Sequence, residues 1–424
     1  MGRARGANSH LYAKFESAYG TPPGGNYMQL PFVSCNLGVS QGLLESDLLG
    51  QGRESYDPTL DVVNNDGDVT VPVDAANFGY WLNLLLGPAT TVAQGNASGD
   101  ITFSAQPAVN STITINGSPF TFVASGATGA QINIGADLAT TIDNAVTVLN
   151  ASSDANVTPA TYSNVGGTKL HVAYDTAGLA GNAFTLATST SPASNATAGT
   201  MSGGTNKHTF SSGAQNLPAM SVETAKPDVP SYEMNYGVRA NTLKIDMKRS
   251  GLLNAVVSCI AKGAAAMSGT SGAGSPTSLD VARFAQATGQ ITQDGVQLGS
   301  VVAASLSFTN NLDKVETIQP SGEIEDSDPG MAMASGNATV KFKDQVLIDK
   351  ATGRTPVALT FGWTFGAFSL LFTLQRVLLP RPKVPIDGPA GIQASFDFQG
   401  SGADGAVMTV DLVNDVAGYT AAAI

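Results

Sequence analysis

MQLPFVSCNLGVSQGLLESDLLGQG (28–52) runs in step with LGSVVAASLSFTNNLDKVETIQPSG (298–322), and this correspondence organises the rest of the chain. Each segment reads as strand, strand and acidic loop. Downstream of the first lies GDVTVPVDAANFGYWLNLLLG (67–87), and downstream of the second GNATVKFKDQVLIDKATG (336–353). Both predict a short alternating strand, then an apolar helix and a glycine stop. A third pair, GVRANTLKIDMKRSGLLNAVVSCI (237–260) and GIQASFDFQGSGADGAVMTVDLV (391–413), reads as a strand hairpin whose loop holds small and charged residues. Few letters coincide, so the correspondence lies in pattern. We read it as a duplicated domain; the competing explanation is that any long β-rich chain yields such echoes.

Composition supports an extended, turn-rich architecture. The 424 residues exceed what one ordinary core needs, which predicts two or three domains. Only 13% are charged and 47 are glycine, which favours β structure over helical bundles. FGWTFGAFSLLFTLQRVLL (361–379) is the richest apolar stretch, and its aromatic and β-branched residues at period two predict a hairpin and not a membrane span. The opening MGRARGANSHLYAKFESAYG has no apolar run behind its arginines and does not read as a secretory signal. Cys35 and Cys259 each fall in an apolar run and are expected to be buried free thiols. His10, His171 and His208 share no metal-ligand spacing. With no nucleophile elbow, phosphate loop or dinucleotide fingerprint, neither an enzyme nor a cofactor or metal site is expected.

Charge is concentrated. The net charge is −12, and residues 45–74 hold Glu45, Asp47, Glu54, Asp57, Asp61, Asp66, Asp68 and Asp74 against Arg53. Residues 313–328 hold Asp313, Glu316, Glu323, Glu325, Asp326 and Asp328 against Lys314. The two acidic segments occupy the same place in the two halves. A solvated loop is one reading, a surface that repels passing phosphate another, and neither segment has the spaced ligands of a calcium loop. Leu43, Leu44, Leu48 and Leu49 beside the first acids favour a partner surface. The basic residues Arg239, Lys244, Lys248 and Arg249, with Arg376, Arg381 and Lys383, are candidates to meet such loops on a neighbouring subunit.

Residues 92–206 differ from their surroundings: five Asp, Lys169, no Glu and no Arg. STITINGSPFTFV (111–123) predicts a hairpin turning at Asn116-Gly117. LATTIDNAVTVLN (138–150) sets Leu138, Ile142, Ala145, Val146 and Leu149 on one helical stripe, most simply covered by that hairpin. TKLHVAYD (168–175) and NAFTLAT (182–188) predict two more strands. The segment interrupts the first half just after its helix, as an inserted domain would.

GANSHLYAKFESAYGTPP (6–23), the run from Leu37 to Gly87, and GPAGIQASFDFQGSGADGAVMTVDLVND (388–415) together resemble the major tail tube proteins of long-tailed bacteriophages. The resemblance covers 1–90 and 207–424; within 92–206, ITINGSPFTFVASGATGAQINIGADLATTIDNAVTVLNAS resembles an accessory module of phage tail proteins. It implies a mainly β chain: two tandem β-sandwich or barrel tube domains, each with a short flanking helix, and a small inserted α+β domain. The expected boundaries are 1–95 with 207–288, 96–206, and 289–424. Tube subunits join sheets edge to edge into rings and stack the rings into a conduit for DNA ejection; two tube folds per chain imply three chains per ring.

The implied partners are further copies of the chain, tail-tip, tape-measure and tail-terminator proteins, and DNA passing without specific binding, with no membrane. The implied location is the virion tail, assembled in the host cytoplasm, with the insert projecting outward. Glu45, Asp47, Glu54, Asp57, Asp61, Glu323, Glu325, Asp326 and Asp328 are then expected at inter-ring contacts or in the lumen, and Leu43, Leu44, Leu48 and Leu49 between rings. A secreted or surface-displayed β-rich adhesin or fibre subunit is the rival reading, which a secretion signal would favour. A tailspike hydrolase would need paired carboxylates and short coil repeats, and neither is visible.

Overall fold

The computed structural model describes residues 3–49, 53–341, 345–386 and 391–419, and is mainly β. It divides into two compact units, 91–207 with 413–417, and the remainder.

In the larger unit the acidic stretch 45–74 is only partly loop, since Thr59–Pro72 is strand. Gly38–Leu44 and Thr59–Pro72 form one long antiparallel hairpin, and Ser34–Cys35 extends its outer side. From Gly67 onward the alternation VTV buries Val69 and Val71 on one face. Asn254–Ile260 pairs on the other side of Thr59–Pro72, followed in order by Ser231–Met247, Val301–Thr309, Met333–Lys341 and Gln393–Gly400. One antiparallel sheet therefore runs through residues from both halves of the chain. The internal junction between the halves is the pairing of Thr242–Met247 with 304–309.

Strand register repeats between the halves. Raising each residue number by 269 turns Ser34↔Thr70, Cys35↔Val69 and Gly38↔Asp66 into Ala303↔Thr339, Ala304↔Ala338 and Ser307↔Ser335, all observed pairs. Asn254↔Pro72 and Ile260↔Asp66 likewise match Gln393↔Lys341 and Gln399↔Ser335, with Asn254 and Ile260 displaced by 139. A one-residue slip would turn every side chain to the opposite face, so common register means a common inward pattern. The third sequence pair needs correction here. Asn254–Ile260 corresponds to Gln393–Gly400, and GIQASFDFQG is no hairpin arm for Thr409–Asn414; it pairs with Met333–Lys341.

Ser231–Met247 changes partner along its length. Its first part pairs with Met220–Lys226 and its second with Asn254–Ile260. Phe368–Leu378 does the same in the other half, first against Val357–Phe365 and at its end against Gln399 and Gly400. Val238 and Val377 stand at the two changeovers, both fully buried. The apolar run 361–379 is the hairpin its periodicity predicts, turning at Gly366 with φ 59°.

Among the described residues the two α-helices of the larger unit differ. Phe78–Leu86 is buried nearly all round and stops at Gly87, φ 93°, whose N–H donates to Asn83 O. Val346–Thr352 buries Ala351 alone, since IDKAT offers little apolar surface.

The smaller unit holds two four-stranded sheets. One contains the hairpin Thr112–Ile115/Ser118–Val123, with Asn116 and Gly117 at positive φ as its tight turn requires. The other contains Lys169–Tyr174 between Ala160–Val165 and Ser98–Phe103. Helix Leu138–Asn150 starts at Asp137, whose carboxylate accepts from Thr140 N at 2.8 Å. It packs most closely on Gln131–Asn133 and Ala160–Val165, and its buried stripe shares one core with the hairpin. Of NAFTLAT only Leu186–Thr188 is strand, because Leu179–Ala183 coils into a 3-10 turn. Phe120, Phe122, Ile142, Leu149 and Leu170 share one core.

Candidate assembly surfaces

The first acidic arm projects. Leu43, Leu44, Leu48 and Leu49 are exposed, Leu43 at 62% and Leu49 at 93%, and Leu60 and Val62 join them from the paired strand. Glu45, Asp47, Glu54 and Asp57 are exposed around the tip, while Asp61 is half-buried within the strand, its carbonyl accepting from Gln41 Nε2 at 2.6 Å. Apolar and acidic side chains thus share one surface. Asp74 belongs to neither arm nor tip. It is fully buried where the strand turns into helix Phe78–Leu86, and Oδ1 accepts from Ala76 N at 2.9 Å, Asn77 N at 2.7 Å and Asn77 Nδ2 at 3.0 Å. Burial pushes its pKa up against those donors and against Arg283.

The second acidic segment is held within the chain. Asp313–Val315 and Asp326–Asp328 form a small ribbon. Arg239, only 4% exposed, reaches it from Ser231–Met247: its guanidinium donates to Asp326 Oδ1 and to Ser327 O at 2.6 Å, and lies 4.4 Å from the Tyr19 ring centroid. Tyr236 donates to Glu323 Oε1 at 2.6 Å, and its pKa is pushed up to about 12, by burial first and by Glu323 second. Lys314 Nζ meets Asp66 at 2.9 Å, and Val63 N donates to Gly322 O at 3.0 Å. These contacts draw the segment across the internal junction onto Thr59–Pro72. Glu325 and Asp328 stay exposed.

Arg239 is therefore committed to its own chain's acids and is no longer on offer to a neighbour, because a buried guanidinium keeps its fixed partners. Its burial, and the parts played by Tyr19 and Tyr236, were invisible in the sequence, because Gly237–Ala240 is buried without alternation. Arg376 pairs with Asp404 at 3.0 Å, while Lys248, Arg249, Arg381 and Lys383 are exposed. Cys35 and Cys259 are free thiols, Cys259 buried and Cys35 half-buried, both with pKa raised first by burial. Among the described residues no group of three or more His, Cys, Asp or Glu side chains is arranged to hold a metal, and no helix is long and apolar enough to cross a membrane.

Residues 6–400 match the family described as phage tail tube protein. The chain belongs to that family. Comparison with curated proteins finds no match. As a phage tail tube protein it is a structural component of the virion tail, of a family that self-assembles into the tube polymer. Membership favours this over an adhesin and is not membership of an enzyme family.

Proposed function

We propose that three copies of this tail tube protein close a ring, that rings stack into the tube of a long, siphophage-type tail, and that the bore conducts DNA during ejection. The observation that carries the reading is the repeated strand register: each half supplies the same hairpin, crossing strand and following helix, so one chain provides two tube folds. The shift from 269 to 139 between equivalent positions reflects extra residues in the first half, chiefly the separate unit 91–207, as an insertion would produce. Exposed Leu43, Leu44, Leu48 and Leu49 with Glu45, Asp47, Glu54 and Asp57 then form an assembly contact, and Glu325 and Asp328 keep a negative surface available. Electron cryomicroscopy of assembled tubes tests this. Threefold rings with a sixfold-like wall are expected; a ring of six chains overturns the duplication.

A further inference from the structure

Resting on the three-chain ring, we propose that the contact between neighbouring chains repeats the internal junction, with 379–386 of one chain laid against 35–40 of the next. Three prolines in 379–386 keep that edge unpaired in the free chain.

The register follows from the repeat. At the internal junction Thr242 faces Thr309 and Met247 faces Ala304. Moving the second partners back by 269 gives Ser40 and Cys35, and moving the first forward by 139 gives Arg381 and Ile386. Arg239, one step inside the junction strand, corresponds in the same way to Leu378, and their pairs Arg239↔Ile260 and Leu378↔Gln399 match.

Among the described residues both edges are open in the single chain. Beside Val33, Ser34, Cys35 and Leu37 runs a groove of about 400 Å³ whose other wall includes Leu11 and Ala225. At the far end, the first-half ladder from Arg239↔Ile260 continues to Ile245↔Ala255, but among the described residues its counterpart ends at Leu378↔Gln399. Pro380, Pro382 and Pro385 follow immediately. Proline has no N–H to give a ladder, and prolines are a known way to stop a bare edge from annealing indiscriminately.

Two further details favour a second copy as the occupant. Across the internal junction Asn310 Nδ2 donates to Leu85 O at the end of helix Phe78–Leu86. Asn310 corresponds to Gln41 on the open edge, and the matching helix Val346–Thr352 is the largely exposed one. Charge also offers a contact: Arg381 and Lys383 are exposed on one edge, and Glu233, beside Lys226, lines the groove at the other.

The register predicts that Ile386, 77% exposed, faces Cys35 of the next chain, within disulfide reach for opposed residues of antiparallel strands. Tubes assembled from Ile386→Cys protein and oxidised with a copper catalyst should run as covalent dimers and trimers on non-reducing gels, and the Cys35→Ser/Ile386→Cys control should not. A Pro380→Thr/Pro382→Thr/Pro385→Thr variant should assemble at a concentration at least about tenfold lower than the parent, roughly 1.4 kcal/mol per contact. Three-chain rings without the cross-link overturn the register and leave the ring standing. An unchanged assembly threshold overturns the role of the prolines, and absence of three-chain rings removes the register together with the reading it rests on.

Discussion

At the position of Asp74 a carboxyl group closes the turn between the long strand and its helix, with one oxygen accepting three hydrogen bonds and Oδ2 lacking a partner among the described residues. Burial holds its folded-state pKa above the ordinary aspartate value of 3.8, so the folded chain holds the proton more tightly than the unfolded one. The associated stabilisation is full below the unfolded pKa and is lost as pH rises through the folded pKa. Asp74→Asn keeps the accepting oxygen without the charge; thermal melts should show the variant gaining on the parent as pH rises from about 4 to 7, with the gap closing at the acid end. Asp74→Ala leaves three buried donors without their acceptor and should cost about 1–3 kcal/mol at the acid end, the cost shrinking as pH rises. A gap that widened toward acid would mean that Asp74 is stabilised as the anion. Gly67 and Gly336, equivalent in the two halves, show a different constraint at the same scale: a Cβ at Gly67 would meet Asn36 O at 2.5 Å, and one at Gly336 would collide with Ser305 O. Their alignment was legible, because GDVTV and GNATV begin matching strands; the close backbone approach behind it was not.

Among the elements, the acidic ribbon 313–328 depends on Arg239. That side chain combines a nearly buried guanidinium, a half-exposed carboxylate, a backbone carbonyl and the Tyr19 ring. Removing one partner of such a group leaves the rest unsatisfied, although the exposure of Asp326 reduces the cost. Arg239→Ala should lower stability by roughly 2 kcal/mol, and limited proteolysis should cut within 313–328 faster than in the parent. Unchanged protease resistance would show that Tyr236 and Lys314 suffice to hold the ribbon. Clustered acids are readable from composition alone. Which of them are already paired depends on a strand some eighty residues away in sequence, and no local pattern reports that.

For the whole molecule, the decisive arrangement is one sheet through both halves with 91–207 as a separate compact unit. That unit has its own core of Phe103, Ile113, Phe122, Ile142 and Val172. Replacing 96–206 by a short Gly/Ser linker should therefore leave ring and tube formation intact in micrographs, and loss of assembly would make the insert part of the ring contact. Its bounded composition, hairpin and helix were legible because each is set by neighbours within a few residues.

By itself the sequence determined β character, the apolar hairpin 361–379, an apolar helix with a glycine stop within 67–87, the separate texture of 92–206 and the similar order of pattern in the two halves. Period-two alternation and turn residues act locally, so they survive in one dimension. Only the tertiary structure decided that Gln393–Gly400, and not a hairpin arm, answers to Asn254–Ile260, that Arg239 is spent inside the chain, and that among the described residues the ladder ends at Leu378, just before the prolines. Strand neighbours and buried partners are chosen among segments far apart in sequence by which register buries the apolar faces together, and that choice exists only once the sheet is assembled.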